Sequence, residues 1–155
     1  MIETLASLNR RQMLGLTASV TALTAAPALA AAPPAMTTYR SPTCGCCMKW
    51  VDAMRKAGFA VTVRESNDMA AVKQRLKVPE AVYSCHTTVV AGMVVEGHVP
   101  AQAVRTLLAR KPKGVIGIAA PGMPRGSPGM EVADGSKDPL NLTVFDAAGK
   151  TRAFG

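Results

Sequence analysis

Three of the four cysteines in this chain lie within four positions, in the segment "SPTCGCCMKW" of residues 41–50. Cys44 and Cys47 alone form a C-x-x-C pair, which is typical of thiol–disulfide exchange. Cys46, between them, adds a third sulfur at short range. Neighbouring Cys46 and Cys47 cannot easily bridge each other, because a disulfide needs Cα atoms about 4.4–6.8 Å apart with converging Cβ vectors. The cluster therefore predicts a redox pair, a metal site, or both in one place.

The hydrophobic pattern around the cluster predicts alternating strands and helices. The predicted elements are a strand at 36–40, a helix at 46–58, a strand at 59–65, a helix at 68–78, a hairpin at 86–98 and a helix at 100–112. A C-x-x-C between the first strand and the first helix of this order predicts an α/β chain with a thioredoxin-like fold, in which helices flank a mixed sheet. A Gly/Pro/Met-rich loop at 119–139 and a C-terminal β-hairpin at 140–155 follow it.

The first thirty residues are predicted to be an export signal. Arg10 and Arg11 precede an uncharged run that ends in Ala28-Leu29-Ala30, a small-x-small cleavage pattern. The paired arginines fit a twin-arginine signal, and an ordinary Sec signal is the alternative. This division predicts a signal peptide at 1–30, a periplasmic domain at 31–155 and no stable membrane span after cleavage.

The chain is basic, with a formal net charge of +8. The positive side chains occur in scattered groups, such as Lys73, Arg75 and Lys77, which we interpret as the solvated faces of helices. Aromatic residues make up only 4% of the chain, so stacking on nucleic-acid bases has little support. Nucleic acid is therefore not an expected partner.

The segment "YSCHT" at 83–87 is predicted to face the cluster. In thioredoxin-like folds the turn before the third strand lies opposite the C-x-x-C, and here that turn holds Cys85 and His86. His98, at the end of the predicted hairpin, either extends the site or caps the following helix. The alternative is a disulfide from Cys85 to Cys44 or Cys47, with a histidine on the surface.

The Gly/Pro-rich loop contributes Met123 and Met130, seven positions apart and each preceded by glycine. Thioethers are soft ligands that select Cu(I), although packing of the loop would also explain them. Cysteine and histidine alone suit Zn²⁺ as well as copper. Carboxylates are absent from these motifs, which argues against hard cations. The thioethers and the exported location favour copper, as Cu(I) or Cu(II), with zinc as the less favoured alternative.

Three blocks, "YRSPTCGCCMKWVDAMRKAGF", "VPEAVYSCHTTVVAGMVVEGHVP" and "GIAAPGMPRGSPGME", resemble CopG-type periplasmic copper-resistance proteins. The resemblance runs from about Tyr39 to the C-terminus. It implies a thioredoxin-like fold, a role in copper tolerance and a site that holds more than one copper ion. The ligands it implies are Cys44, Cys46, Cys47, Cys85, His86, His98, Met123 and Met130.

Three functions are compatible with the sequence. The first is a periplasmic copper-binding protein of a resistance or homeostasis system, with copper or thiol redox activity and with other periplasmic copper-handling proteins as partners. The second is a thiol–disulfide oxidoreductase that uses Cys44 and Cys47 as its redox pair. The third is a structural zinc module. Whether the chain is an enzyme stays open at the level of sequence.

Overall fold

The computed structural model of the chain describes residues 34–155. The predicted signal peptide at 1–30, with its twin-arginine or Sec character, lies outside the described residues. Within residues 34–155, no helix is long and apolar enough to cross a membrane.

The described chain contains seven strands and three α-helices. In order they are β1 (Met36–Arg40), α1 (Gly45–Lys56), β2 (Val61–Glu65), α2 (Met69–Arg75), a short 3-10 turn (Glu80–Val82), β3 (His86–Val90), β4 (Met93–Glu96), α3 (Ala101–Arg110), β5 (Val115–Ala119), β6 (Thr143–Asp146) and β7 (Thr151–Ala153). The strands form one sheet in the order β2-β1-β3-β4-β5-β6-β7. β1 pairs in parallel with β2, and β4 with β5, while the other pairs are antiparallel.

This arrangement confirms the predicted mixed α/β class. The elements from β1 to α3 follow the order on which the thioredoxin-like prediction rests, and that narrower assignment stays a prediction. The predicted Gly/Pro-rich loop contains no helix or strand between β5 and β6, and the C-terminal hairpin is present as β6 and β7.

Strand β5 was not predicted. Its sequence, "VIGIA", is too short to show a period, and it runs directly into the Gly/Pro-rich loop. It pairs with β4 on one side and β6 on the other, so it joins the first part of the sheet to the C-terminal hairpin. At Gly117, an added Cβ would lie 2.2 Å from the Phe145 ring, which explains the glycine in this strand.

The inner face of α1 forms the centre of the core. Trp50, Val51 and Met54 recur at helical spacing, and all three are buried against the sheet. The Trp50 indole nitrogen donates a hydrogen bond of 2.9 Å to the carbonyl of Val99, so its polar atom is satisfied in the interior. This bond ties the middle of α1 to the segment between β4 and α3.

The interpretation of Lys73 as a solvated residue is wrong. Its side chain is buried and forms an ion pair with the fully buried Glu96, and it also donates a 3.0 Å hydrogen bond to Thr87 Oγ1. The other Glu96 oxygen accepts a 2.6 Å bond from Thr87. Lys73 points inward because Glu96 needs a countercharge in the interior. Arg75 and Lys77 are exposed, as predicted.

We predict that Lys73→Met destabilises the protein by about 3–5 kcal/mol, because it leaves the Glu96 carboxylate buried without its countercharge. Urea denaturation measures the change. Lys56→Met, at an exposed position of α1, is the control and should change stability by less than about 0.5 kcal/mol. The double variant Lys73→Met/Glu96→Gln should recover part of the loss. Equal stability of Lys73→Met and Lys56→Met would contradict this account of the ion pair.

Candidate metal centre

The cysteine cluster lies at the N-terminus of α1. Cys44 is the residue that caps the helix, and Cys46 and Cys47 lie in its first turn. Cys44 and Cys47 form a disulfide, with their Cα atoms 5.6 Å apart. The two cysteines of the predicted redox pair are therefore bonded to each other, and their redox role stays a prediction. The alternative bridges from Cys85 to Cys44 or Cys47 are wrong for this form, because Cys85 is a free thiol.

Cys46 and Cys85 are the free thiols of the described residues, and both are half-buried. Cys46 Sγ lies 3.5 Å from Cys44 Sγ and 3.8 Å from Cys85 Sγ. The sulfurs of Cys44, Cys46, Cys47 and Cys85 all lie within 4.8 Å of one another. Cys46 thus faces the other sulfurs of the cluster.

Strand pairing brings Cys85 to the cluster. β3 runs antiparallel to β1, with His86 opposite Arg40. Arg40 is the last residue of β1, and the loop to α1 begins directly after it. The turn that holds Cys85 therefore lies beside the loop that leads into the C-x-C-C segment, although Cys85 and Cys47 are 38 positions apart in the sequence.

Both histidines contact Cys85. His86 Nδ1 lies 3.3 Å from Cys85 Sγ, and His98 Nε2 lies 3.0 Å from the same sulfur. The two rings are nearly perpendicular, with centroids 4.9 Å apart, and both residues are fully buried. The surface-histidine alternative is therefore wrong. His98 does not cap α3, since the capping residue is Pro100 and the cap carries no side-chain hydrogen bond.

Two further residues support the site, and sequence reasoning missed their contribution. The Trp50 ring packs on His86 with centroids 4.6 Å apart, and its helical spacing indicated only a core residue. Arg40 donates hydrogen bonds to the carbonyls of Ser41, Pro42 and Cys44, at 2.9, 3.1 and 3.0 Å. Arg40 thereby holds the loop that presents the first cysteine.

Burial controls the protonation of these groups. It raises the pKa of Cys85 to about 12, and the neighbouring Cys46 adds to the effect. Burial also lowers the pKa of His86 well below its usual value, with His98 and Lys73 acting in the same direction. The pKa of His98 is lowered by burial as well. At neutral pH the site therefore holds a Cys85 thiol and two neutral imidazoles, each with a free electron pair.

The loop methionines occupy different surroundings. Met123 is 54% exposed and lines an open cavity of about 290 Å³. The cavity is also lined by Cys85, so Met123 and one cysteine of the cluster face the same open cavity. Met130 is half-buried, and its backbone N–H and carbonyl bond to Ser127 and Gly126 of the same loop. Met130 follows Gly129, which packs against α1.

The donor set determines what the site can bind. Four sulfurs form one group of potential ligands, and Cys85, His86 and His98 form a second group that shares the Cys85 sulfur. Thiolate and imidazole suit soft and borderline metal ions. The nearby Glu96 carboxylate is already occupied by Lys73, Thr87 and the Ser84 N–H. The fold and the donors define an α/β protein with a sulfur- and nitrogen-donor candidate metal centre.

Comparison with known proteins identifies the family to which this α/β protein belongs. Two solved structures, "Copper resistance protein copG" Form 1 and Form 2, are each 42% identical to this chain with a TM-score of 0.72. The matches cover 78% of this chain and 94% and 95% of the respective CopG chains. The chain therefore belongs to the family of the copper resistance protein CopG, which confirms the resemblance found in the sequence.

A family model described as "Protein of unknown function, DUF411" also matches, over residues 82–130. This range includes Cys85, both histidines and both loop methionines. No curated protein matches the chain.

The protonation state of Cys85 gives a second prediction. Only a thiolate is alkylated, so the iodoacetamide rate at Cys85 in the metal-free, disulfide-intact protein should keep rising by about tenfold per pH unit from pH 8 to pH 10. In protein unfolded in urea, the rate should level off near pH 9. Mass spectrometry of the labelled peptides measures both rates. A plateau near pH 9 at Cys85 in the folded protein would contradict the raised pKa.

Proposed function

We propose that this chain is an exported, periplasmic copper-binding protein of a copper resistance system, and that it binds Cu(I) through thiolates and imidazoles. The observation that carries the proposal is the convergence of Cys46 Sγ and His98 Nε2 on the Cys85 sulfur, at 3.8 and 3.0 Å. Membership of the CopG family supports copper as the metal. Zinc remains the less favoured metal, because the loop adds thioethers, which are not among the usual ligands of zinc.

Reduction of the Cys44–Cys47 disulfide would complete the ligand set. It would offer four thiolates and two imidazoles, which exceeds the needs of one Cu(I) ion. Cys85 belongs to both groups of potential ligands, so its sulfur is suited to bridge two ions. We therefore propose a site for more than one copper ion, with the proposed ligands Cys44, Cys46, Cys47, Cys85, His86, His98, Met123 and Met130.

Metal binding in this proposal is coupled to proton release. Cys85 enters as a thiol and must lose its proton before its sulfur binds the metal. The histidines are already neutral, so each imidazole has one ring nitrogen with a free electron pair and neither ring must lose a charge. The group of Cys85, His86 and His98 thus starts neutral, and Cys85 would become negatively charged as the metal binds.

The disulfide adds a redox capacity to the proposed function. The Cys44–Cys47 bond accepts two electrons when it is cleaved to two thiolates. Two Cu(I) ions supply them by losing one electron each, which gives two Cu(II) ions. In the reverse direction, two thiolates form the disulfide and reduce two Cu(II) ions. We propose this exchange as the copper and thiol redox activity of the site, with other periplasmic copper-handling proteins as donors or acceptors of the metal.

A second candidate function is thiol–disulfide exchange with other proteins. It is favoured by the observed Cys44–Cys47 disulfide at the N-terminus of a helix, which is a common position for a redox-active pair. Thiol–disulfide exchange, however, gives no role to Cys46, to Cys85 or to the two buried histidines.

Anaerobic titration tests the copper proposal. The fully reduced protein should take up more than one Cu(I) per chain, in competition with a chromophoric Cu(I) chelator. Cys85→Ser and Cys46→Ser should each lower the stoichiometry or weaken binding by at least about tenfold, because each removes a thiolate. Lys56→Met, remote from the donors, should bind as the wild type does. Uptake of one Zn²⁺ without Cu(I) binding would contradict the proposal.

Insulin reduction separates the two functions. If the chain serves copper, the double variant Cys46→Ser/Cys85→Ser should lose Cu(I) binding, and neither it nor the wild type should catalyse insulin reduction. Strong activity that survives in the double variant would instead favour the thiol–disulfide oxidoreductase, because only Cys44 and Cys47 remain in it.

A further inference from the structure

The contacts of His98 fix where its proton lies. Its Nδ1 atom is 2.8 Å from the backbone carbonyl oxygen of Pro128. A carbonyl only accepts hydrogen bonds, so the hydrogen must be on Nδ1. The neutral imidazole carries one N–H, which leaves an electron pair on Nε2. That nitrogen lies 3.0 Å from Cys85 Sγ, where the thiol can donate to it.

The Pro128 carbonyl belongs to a tight turn of the Gly/Pro-rich loop. Gly126 N–H donates to the Met130 carbonyl, and Met130 N–H donates to the Ser127 carbonyl, both at 2.8 Å. The Ser127 hydroxyl donates a 2.6 Å bond to the carbonyl of Pro124, and Ser127 is 4% exposed. These bonds give the turn one conformation, with the Pro128 carbonyl directed at the histidine.

Gly129 fixes this turn against the cysteine-bearing end of α1. Its φ is +84°, and an added Cβ would lie 2.6 Å from the backbone nitrogen of Trp50 and 3.1 Å from the Cys46 carbonyl. Those atoms are helix backbone and cannot rotate away as a side chain could. The close approach therefore requires glycine.

We propose that the Pro128 carbonyl, held in place by Gly129, is a positioning element that keeps His98 in the tautomer able to bind metal. The proposal deepens the proposed function, since it rests on His98 as a copper ligand. Metal-binding histidines commonly donate their second N–H to a carbonyl, which orients the ring and raises its basicity. Without the Pro128 contact, the hydrogen could move to Nε2 and occupy the position where the metal binds. The loop thus contributes through its backbone as well as through its methionines.

The first test is made on the metal-free wild type. Two-bond ¹H–¹⁵N correlation spectra distinguish the two neutral histidine tautomers. His98 should be protonated at Nδ1, and His98→Gln assigns its signals. A histidine protonated at Nε2 would overturn the proposal directly, whether or not the protein binds copper.

The second test compares two glycine variants of the same loop. Gly129→Ala should disturb the His98 tautomer and weaken Cu(I) binding by about 10–100-fold, the range found for loss of an orienting partner. Gly135 also has a positive φ, +71°, but no atom lies within 4 Å of its added Cβ. Gly135→Ala is therefore the matched control for backbone strain, and it should keep the wild-type tautomer and affinity.

The outcomes separate this proposal from the proposed function. If the wild type binds no Cu(I) but has the Nδ1–H tautomer that Gly129→Ala removes, the copper function fails and the positioning role stands. If Gly129→Ala binds Cu(I) as tightly as Gly135→Ala, the positioning role fails and the copper function stands. Should Gly129→Ala not fold, Ser127→Ala loosens the same turn through a smaller change. It should weaken Cu(I) binding several-fold, and unchanged binding would overturn the proposal.

Discussion

The hydrogen bond from the Ser84 N–H to the buried Glu96 carboxylate, at 2.7 Å, is the contact on which the candidate centre depends. It fixes the backbone directly before Cys85, and Cys85 contacts both histidines and lies close to Cys46. Glu96 can remain in the interior because Lys73 supplies a countercharge and Thr87 a further hydrogen bond. A surface-like ion pair at the same place would hold the turn more weakly, because solvent would screen it. The buried ion pair of Lys73 and Glu96 thus helps to fix the position of the Cys85 sulfur.

Burial of the site has a chemical consequence as well as a mechanical one. The surroundings that exclude water from His86 and His98 keep both rings neutral, and they keep Cys85 protonated. The free site therefore carries little charge, which is compatible with its position beside the core. In the proposed function, a soft cation would compensate for the thiolates that form as it binds, whereas an isolated thiolate there would be costly. This explains why a site rich in cysteine and histidine can lie next to Trp50 in a protein of this size.

The sequence predicted the parts of the site that depend on local pattern. The three cysteines at the start of α1 follow from the strand–turn–helix order, and Cys85 with His86 follows from the expected position of the turn before β3. The Lys73–Glu96 pair could not be found, because its partners are 23 positions apart and each alone resembles a surface residue. The contact of the Pro128 carbonyl with His98 could not be predicted either, because the contacts of a backbone atom do not appear in the pattern of side chains along the sequence. The sequence shows Gly129 before Met130, but it does not show that the loop folds back and brings Gly129 into contact with α1.

In the proposed function, Cys85 and His98 bind the same copper ion through Sγ and Nε2, which lie 3.0 Å apart in the structure. X-ray absorption spectroscopy of the copper-loaded, reduced chain tests it most directly. We expect a Cu(I) edge, mainly sulfur neighbours and an imidazole contribution that decreases in His98→Gln, with loss of sulfur neighbours in Cys85→Ser. A first shell of only nitrogen and oxygen, or a spectrum that neither substitution changes, would contradict it.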